Sequence, residues 1–190
     1  MKTFLKLFSL ALVFFYSCNT VDLENISGID FIPTESHTIL NINDLDTTKE
    51  IFQSNPLIPN IYSESEIISS RLNDLTIRES KNGILSLSPY GKDQVAYTFV
   101  SKIVVNDSIF QNEKFDHIYQ NNNIYSRKIN DETIFMTLID NFFISSNRDL
   151  IIENIIRDLK SNKKLDSELL KISKTLDTNC LLYTSDAADD

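Results

Sequence analysis

Hydrophobic and polar positions alternate with period two in some stretches of the chain and fall at helical spacing in others. His37 to Ile42 (His-Thr-Ile-Leu-Asn-Ile) alternates and predicts a strand. The strand is entered through Phe31-Ile32-Pro33-Thr34-Glu35, where proline fixes one backbone angle of a turn. Thr47-Thr48-Lys49-Glu50 fits a capping box, in which a hydroxyl and a carboxylate three residues apart satisfy each other's backbone amides. It predicts a short helix to Ser54, ended by Pro56 and Pro59. A second box, Ser63 to Glu66, opens a helix with Ile67, Ile68, Leu72 and Leu75 on one face.

Beyond Gly83 the period shortens to two. Ile84–Leu87 leads through the turn-forming Pro89-Tyr90-Gly91-Lys92 into a long apolar strand, Val95–Val105. Asn106–Gln120 has no regular period and reads as irregular chain anchored by Phe110, Phe115 and Tyr119. Ile124–Ile129, Thr133–Ile139 and Phe142–Ser146 then read as strands joined by tight Asn- and Asp-containing turns. Ser146-Asn147-Arg148-Asp149 resembles a cap for a helix carrying Ile151, Ile152, Ile155, Ile156 and Leu159. Asn162-Lys163-Lys164 interrupts, and Leu165, Leu169, Ile172 and Leu176 mark a last helix. The order predicts an α+β fold: an antiparallel meander with flanking helices packed on one face.

The two ends of the chain differ from this middle. Lys2 and Lys6 precede an apolar run, Leu7–Tyr16, that is too short for a spanning helix of about 20 residues. Ser17 and Cys18 follow. This arrangement resembles a bacterial lipoprotein signal, which implies acylation of the Cys18 thiol and cleavage that leaves Cys18 as the mature N-terminus. Phe15 and Tyr16 depart from the usual leucine and small residue of that motif. At the other end, Cys180–Asp190 (Cys-Leu-Leu-Tyr-Thr-Ser-Asp-Ala-Ala-Asp-Asp) holds two adjacent alanines, whereas Asn19–Asn179 holds one, Ala96. The string is similar to the translation of a transposase mosaic end joined to a sequencing adapter. The expected organisation is therefore a signal peptide over 1–17, a polar tether over 18–28 and one α+β domain over 29–179. Residues 180–190 are then a foreign tail outside any domain, and the domain itself is incomplete.

Of 190 residues, 27 are acidic and 18 are Lys or Arg, a formal charge of −9. Without the signal and the tail the balance is still −8. Such a surface repels phosphate backbones, which argues against a nucleic-acid partner. A membrane partner enters through lipid on Cys18, in the bacterial envelope and most simply on the periplasmic or surface face of the outer membrane. The step Asp140-Asn141-Phe142-Phe143-Ile144-Ser145-Ser146-Asn147-Arg148-Asp149-Leu150-Ile151 is similar to a domain of unknown function found in exported bacterial proteins and lipoproteins. Ile139–Ile156 carries that resemblance best and Phe31–Ile42 more loosely; it implies a fold and a location, with no activity attached.

Few residues offer chemistry. Asp44-Leu45-Asp46-Thr47-Thr48 resembles the Asp-x-Asp-x-Thr loop of haloacid-dehalogenase-type phosphohydrolases, where the first Asp attacks phosphorus beside Mg²⁺ and the second is the general acid. That family also needs a downstream Lys and a paired acidic motif on a parallel strand. No Gly-Asp or Asp-Asp pair follows within Cys18–Asn179. The same residues suffice as the entry and cap of the next helix. His37 and His117 lie eighty residues apart with no soft ligand near either in sequence, so no metal site is expected. With Cys18 acylated and Cys180 foreign, no thiol remains as a nucleophile. Three glycines, Gly28, Gly83 and Gly91, cannot build a phosphate loop, and Asp44 and Asp46 lack the spacing of a calcium loop. Lys160, Lys163 and Lys164 fit the C-terminal end of a helix dipole. Phe110, Phe115, Tyr119 and Tyr125 suit either a groove or a core. The expected function is a membrane-anchored, non-catalytic binding or assembly module without cofactor. The rivals are an envelope phosphohydrolase using Asp44 and Asp46, and an accessory N-terminal domain of a larger protein.

Overall fold

A computed structural model describes residues 27–55, 58, 64–75, 82–92, 94–103, 109–129, 131–161, 163 and 182–184. Cys18, the expected signal peptide and the expected last helix (Leu165–Leu176) lie outside them. A 3-10 turn, Gly28–Phe31, opens the described chain. It is followed by β1 (Thr38–Ile42), α1 (Leu45–Ser54), α2 (Ser65–Asp74), β2 (Gly83–Pro89) and β3 (Val95–Lys102). Then come β4 (Lys114–Tyr119), β5 (Asn122–Ile129), β6 (Glu132–Ile139), β7 (Phe142–Ser146), α3 (Asp149–Lys160) and β8 (Leu182–Thr184).

The strands form one sheet in the order β4-β5-β6-β7-β3-β2-β1-β8, every pair antiparallel. It consists of two meanders, β1-β2-β3 and β4-β5-β6-β7, joined where β7 pairs with β3. The turns at Gln120-Asn121 and Asp140-Asn141 have both residues at positive φ (45° and 68°; 52° and 70°). Two consecutive positive φ values are what a two-residue hairpin with right-twisted strands requires, and Asn and Asp, which hold three of these four positions, tolerate them. The α+β class and the antiparallel meander follow the hydrophobic pattern.

Three expectations need correction. First, the helices cover both faces of the sheet, because its central strands are buried on both sides. Leu40, Leu85 and Phe99 pack with Leu45, Phe52, Ile68 and Leu72 of α1 and α2. The alternate residues Ile39, Val100 and Ile144 pack on the other side with Phe31, Ile151 and Ile155. Second, Lys114–Tyr119 is a strand, though the sequence pattern left it irregular. As an edge strand it is mostly exposed on both faces, and a register shift between Phe115 and His117 breaks the alternation. Third, the helix caps differ. Asp44 caps α1 by accepting the Thr47 amide at 2.8 Å, three residues before the expected box begins to act. Arg148 stands at the cap of α3 with no side-chain cap bond. Three residues of the stretch assigned to a foreign tail, Leu182–Thr184, add to the sheet beside β1.

Candidate functional site

A group of polar side chains lies at the end of the sheet where β5 meets β6 and β7 passes into α3. An open cleft of about 720 Å³ lies there, lined by Arg71 of α2, Glu132 and Thr133 of β6, and Asn147, Arg148 and Asp149 at the β7–α3 junction. Glu132 is the centre of this arrangement. Its carboxylate pairs with the Arg71 guanidinium and accepts the Asn147 Nδ2 at 2.8 Å. Arg71 also lies over the Tyr97 ring, 4.9 Å from its centroid.

Asn147 shows why the expected cap is spent elsewhere. It is 2% exposed, and its Oδ1 accepts the Tyr97 backbone N–H at 3.0 Å. The Ser146 hydroxyl donates to the Tyr97 carbonyl at 2.6 Å. Two side chains at the end of β7 therefore satisfy both backbone groups of Tyr97 in β3. Arg148 stacks on Tyr90 at 4.9 Å and donates to the Asn147 carbonyl at 3.1 Å. Within the cleft Arg71 and Glu132 form an ion pair, whereas the Arg148 Nε is buried without a hydrogen-bond partner.

A second cluster ties the sheet edge to a helix. His117 on β4 hydrogen-bonds through Nδ1 to Asp116 Oδ2 at 2.8 Å and through Nε2 to Glu153 Oε1 of α3 at 2.9 Å. The Asp116 hydrogen bond is the largest influence on the imidazole, and Glu153 adds to it; together they outweigh partial burial and raise the pKa above the ordinary value of 6.5. His37 makes a related bridge from the start of β1: its Nε2 is 2.6 Å from Glu64 Oε1, and the Thr38 hydroxyl donates to Glu64 Oε2 at 2.6 Å. Each histidine is thus a carboxylate-paired clasp between a strand and a helical segment. No group of three or more His, Cys, Asp or Glu suited to a metal ion occurs among the described residues.

The remaining sequence candidates are dispersed. Asp44 is occupied as the α1 cap, and Asp46 sits exposed in the first turn of that helix. Lys49, the next base along the chain, donates to the Leu75 carbonyl at 3.3 Å. Lys160 bonds the Gln120 carbonyl at 2.8 Å, and Lys163 lies 3.8 Å from Asp158. Phe110 stacks on Tyr125 at 4.3 Å, and Phe115, half exposed, meets the edge of the same ring. Sequence reasoning missed Arg71, Glu132 and the true role of Asn147. The one signal present was a polar cluster just before an apolar helix, which is also the signature of a cap.

The fold and the site together define an α+β domain with a single antiparallel sheet and a polar cleft at one end of its strands. No protein-family model, curated protein or solved structure matches the chain. Among the described residues no helix is long and apolar enough to cross a membrane.

Proposed function

We propose that the chain is a lipid-anchored module of the bacterial cell envelope that binds or assembles with a partner and is not itself an enzyme. The observation that carries this reading is the N-terminal pattern: two lysines, a short apolar run, then Ser17 and Cys18. Lipid on that cysteine would tether the chain without a spanning helix, each buried methylene contributing about 0.8 kcal/mol.

The placement of the cleft is consistent with such a role. Gly28 packs against Ile84, Val100 and Phe142, at the start of β2, the end of β3 and the start of β7. The cleft lies at the opposite end of β7, beyond Ser146. A tether entering at Ser27 would leave the cleft on the far end of the sheet, turned toward whatever approaches from solution. The mutual pairing of Arg71, Glu132 and Asn147 supports recognition by shape and hydrogen bonding.

Metabolic labelling with a radiolabelled fatty-acid precursor tests the anchor. Label should enter the unsubstituted chain and be lost in Cys18→Ser, with the protein released from the membrane fraction; label that persists would overturn the reading. The same preparations should release no phosphate from a phosphoester with Mg²⁺. Turnover abolished by Asp44→Asn would establish the phosphohydrolase instead.

A further inference from the structure

The two most exposed large apolar side chains among the described residues stand on one strand, Phe115 at 51% and Ile118 at 61%. Both belong to β4, which ends the sheet and pairs with β5 alone among the described residues. The chain that enters and leaves β4 lies on its β5 side. Phe110, before the strand, stacks on Tyr125 of β5, and Glu113 pairs with Arg127 of β5. After Tyr119 the hairpin at Gln120-Asn121 turns straight into β5. The neighbours of β4 in sequence therefore leave its outer row of backbone groups unmet, and an open row of that kind recruits other strands.

In a regular strand, residues three apart point to opposite faces. β4 is not regular. Phe115 pairs with Tyr125 and His117 with Ile124, so Asp116 is the extra residue of a bulge. Ile118 then pairs with Asn123, on the Tyr125 face. The bulge thus brings Phe115 and Ile118 to one face of the sheet. Asp116 and His117 turn to the other, where they meet Ser126 and, from α3, Glu153.

A two-fold axis at the outer edge makes this strand its own complement. With the axis between Asp116 and His117, an antiparallel second β4 sets Phe115 opposite Ile118, Asp116 opposite His117 and Lys114 opposite Tyr119. Residues that stand opposite one another share a face, and the bulge is what lets each of these pairs do so. No like charges meet across the axis. A strand without a bulge leaves one of Asp116 and His117 without a counterpart, as β5 does, whereas a second β4 brings its own extra residue. That match selects a second copy over an unrelated strand. The chain's charge of −9 opposes association at long range, but β4 itself carries one lysine and one aspartate.

We propose that β4 is a dimerisation edge: two copies pair antiparallel along it, close Phe115 and Ile118 of each into one apolar patch and join their sheets. An interface of six-residue strands is small, so the association is weak and depends on concentration. The proposal goes beyond the anchored-module reading and takes nothing from Cys18.

The test uses the full chain in detergent with Cys18→Ser and Cys180→Ser, so that no lipid and no native thiol takes part. Sedimentation velocity should show a dimer whose share rises with protein concentration. Ile118→Asp puts two carboxylates into the patch and should lower the association constant at least about ten-fold, a difference of about 1.4 kcal/mol. Leu150→Asp changes a half-exposed apolar side chain outside β4 and should leave it unaltered. Amide exchange over Lys114–Tyr119 should slow as concentration rises, and should no longer do so in Ile118→Asp. A chain that stays monomeric, a dimer that Ile118→Asp leaves intact or that Leu150→Asp weakens equally, or dimerisation without protection of β4 would overturn the proposal. Because Cys18 is replaced throughout, failure here leaves the lipid-labelling result standing, and loss of the anchor leaves the dimer to its own result.

Discussion

Asn147 shows how much one buried amide can hold. Its oxygen accepts the Tyr97 N–H in β3 and its nitrogen donates to Glu132 in β6, so one side chain at the end of β7 joins three strands. Asn147→Ala would leave the Tyr97 amide buried without that acceptor and would remove a donor from a half-buried carboxylate. An unsatisfied buried group costs about 1–3 kcal/mol, so a loss of about 2 kcal/mol is expected. Urea unfolding should show it as a lower midpoint with an unchanged slope; a midpoint within error of the parent would remove Asn147 from this role. Gly83 is constrained by space instead of hydrogen bonding. A Cβ there would stand 2.6 Å from the Phe99 ring and 2.6 Å from the Val100 carbonyl oxygen. Gly83→Ala must displace backbone or a fully buried ring, and overpacking of that kind costs about 1–3 kcal/mol. Thermal unfolding should register a lower midpoint, and an unchanged one would mean that β2 and β3 can separate locally without penalty.

Among the elements, the junction of β4 with α3 is the one whose strength depends on pH. His117 bonds Asp116 beside it and Glu153 on the helix, and both favour the imidazolium. Because its folded pKa lies above the unfolded value of 6.5, the contribution to stability is fully present below about pH 6.5 and is lost as pH rises through the folded pKa. Urea midpoints taken below and above that window should fall on the alkaline side for the parent, and His117→Asn should flatten the difference. A parent midpoint that rises over the same interval would contradict the sign. The same region shows where sequence patterning stops being informative. Strands packed on one or both faces, such as β3 and β6, reveal themselves through runs or alternation of apolar residues. β4 does neither, because an edge strand with a bulge obeys no period and its partners, Glu153 among them, come from distant sequence. Caps were legible as polar clusters but not in detail. Ser146 and Asn147 look like cap residues, yet tertiary hydrogen bonds to Tyr97 claim both side chains. The assignment of all helices to one face failed for a related reason: period two reports that a strand is half buried, whereas Ile39 and Leu40 in succession report a strand buried on both sides.

For the whole molecule, the sheet has two ends, and the tether and the cleft would occupy opposite ones. Residues 19–26 separate Cys18 from Ser27 and span at most about 30 Å when fully extended. Ser27 leads directly into Gly28, which packs beside Phe142 at the start of β7. β7 has five residues, so the two ends of the sheet are separated along it by about 17 Å. If lipid on Cys18 holds the chain to a membrane, the end containing Lys102 lies nearer the headgroups and the end containing Asp131 lies farther away. Lys102 and Asp131 are both exposed and suited to labelling. In Cys180→Ser chains anchored to vesicles, a fluorophore on Lys102→Cys should be quenched more by headgroup nitroxides than one on Asp131→Cys. The difference should vanish when Cys18→Ser releases the protein from the vesicles. Stronger quenching at Asp131 would place the cleft against the membrane, and its Arg71, Glu132 and Asn147 would then face lipid headgroups instead of a soluble partner.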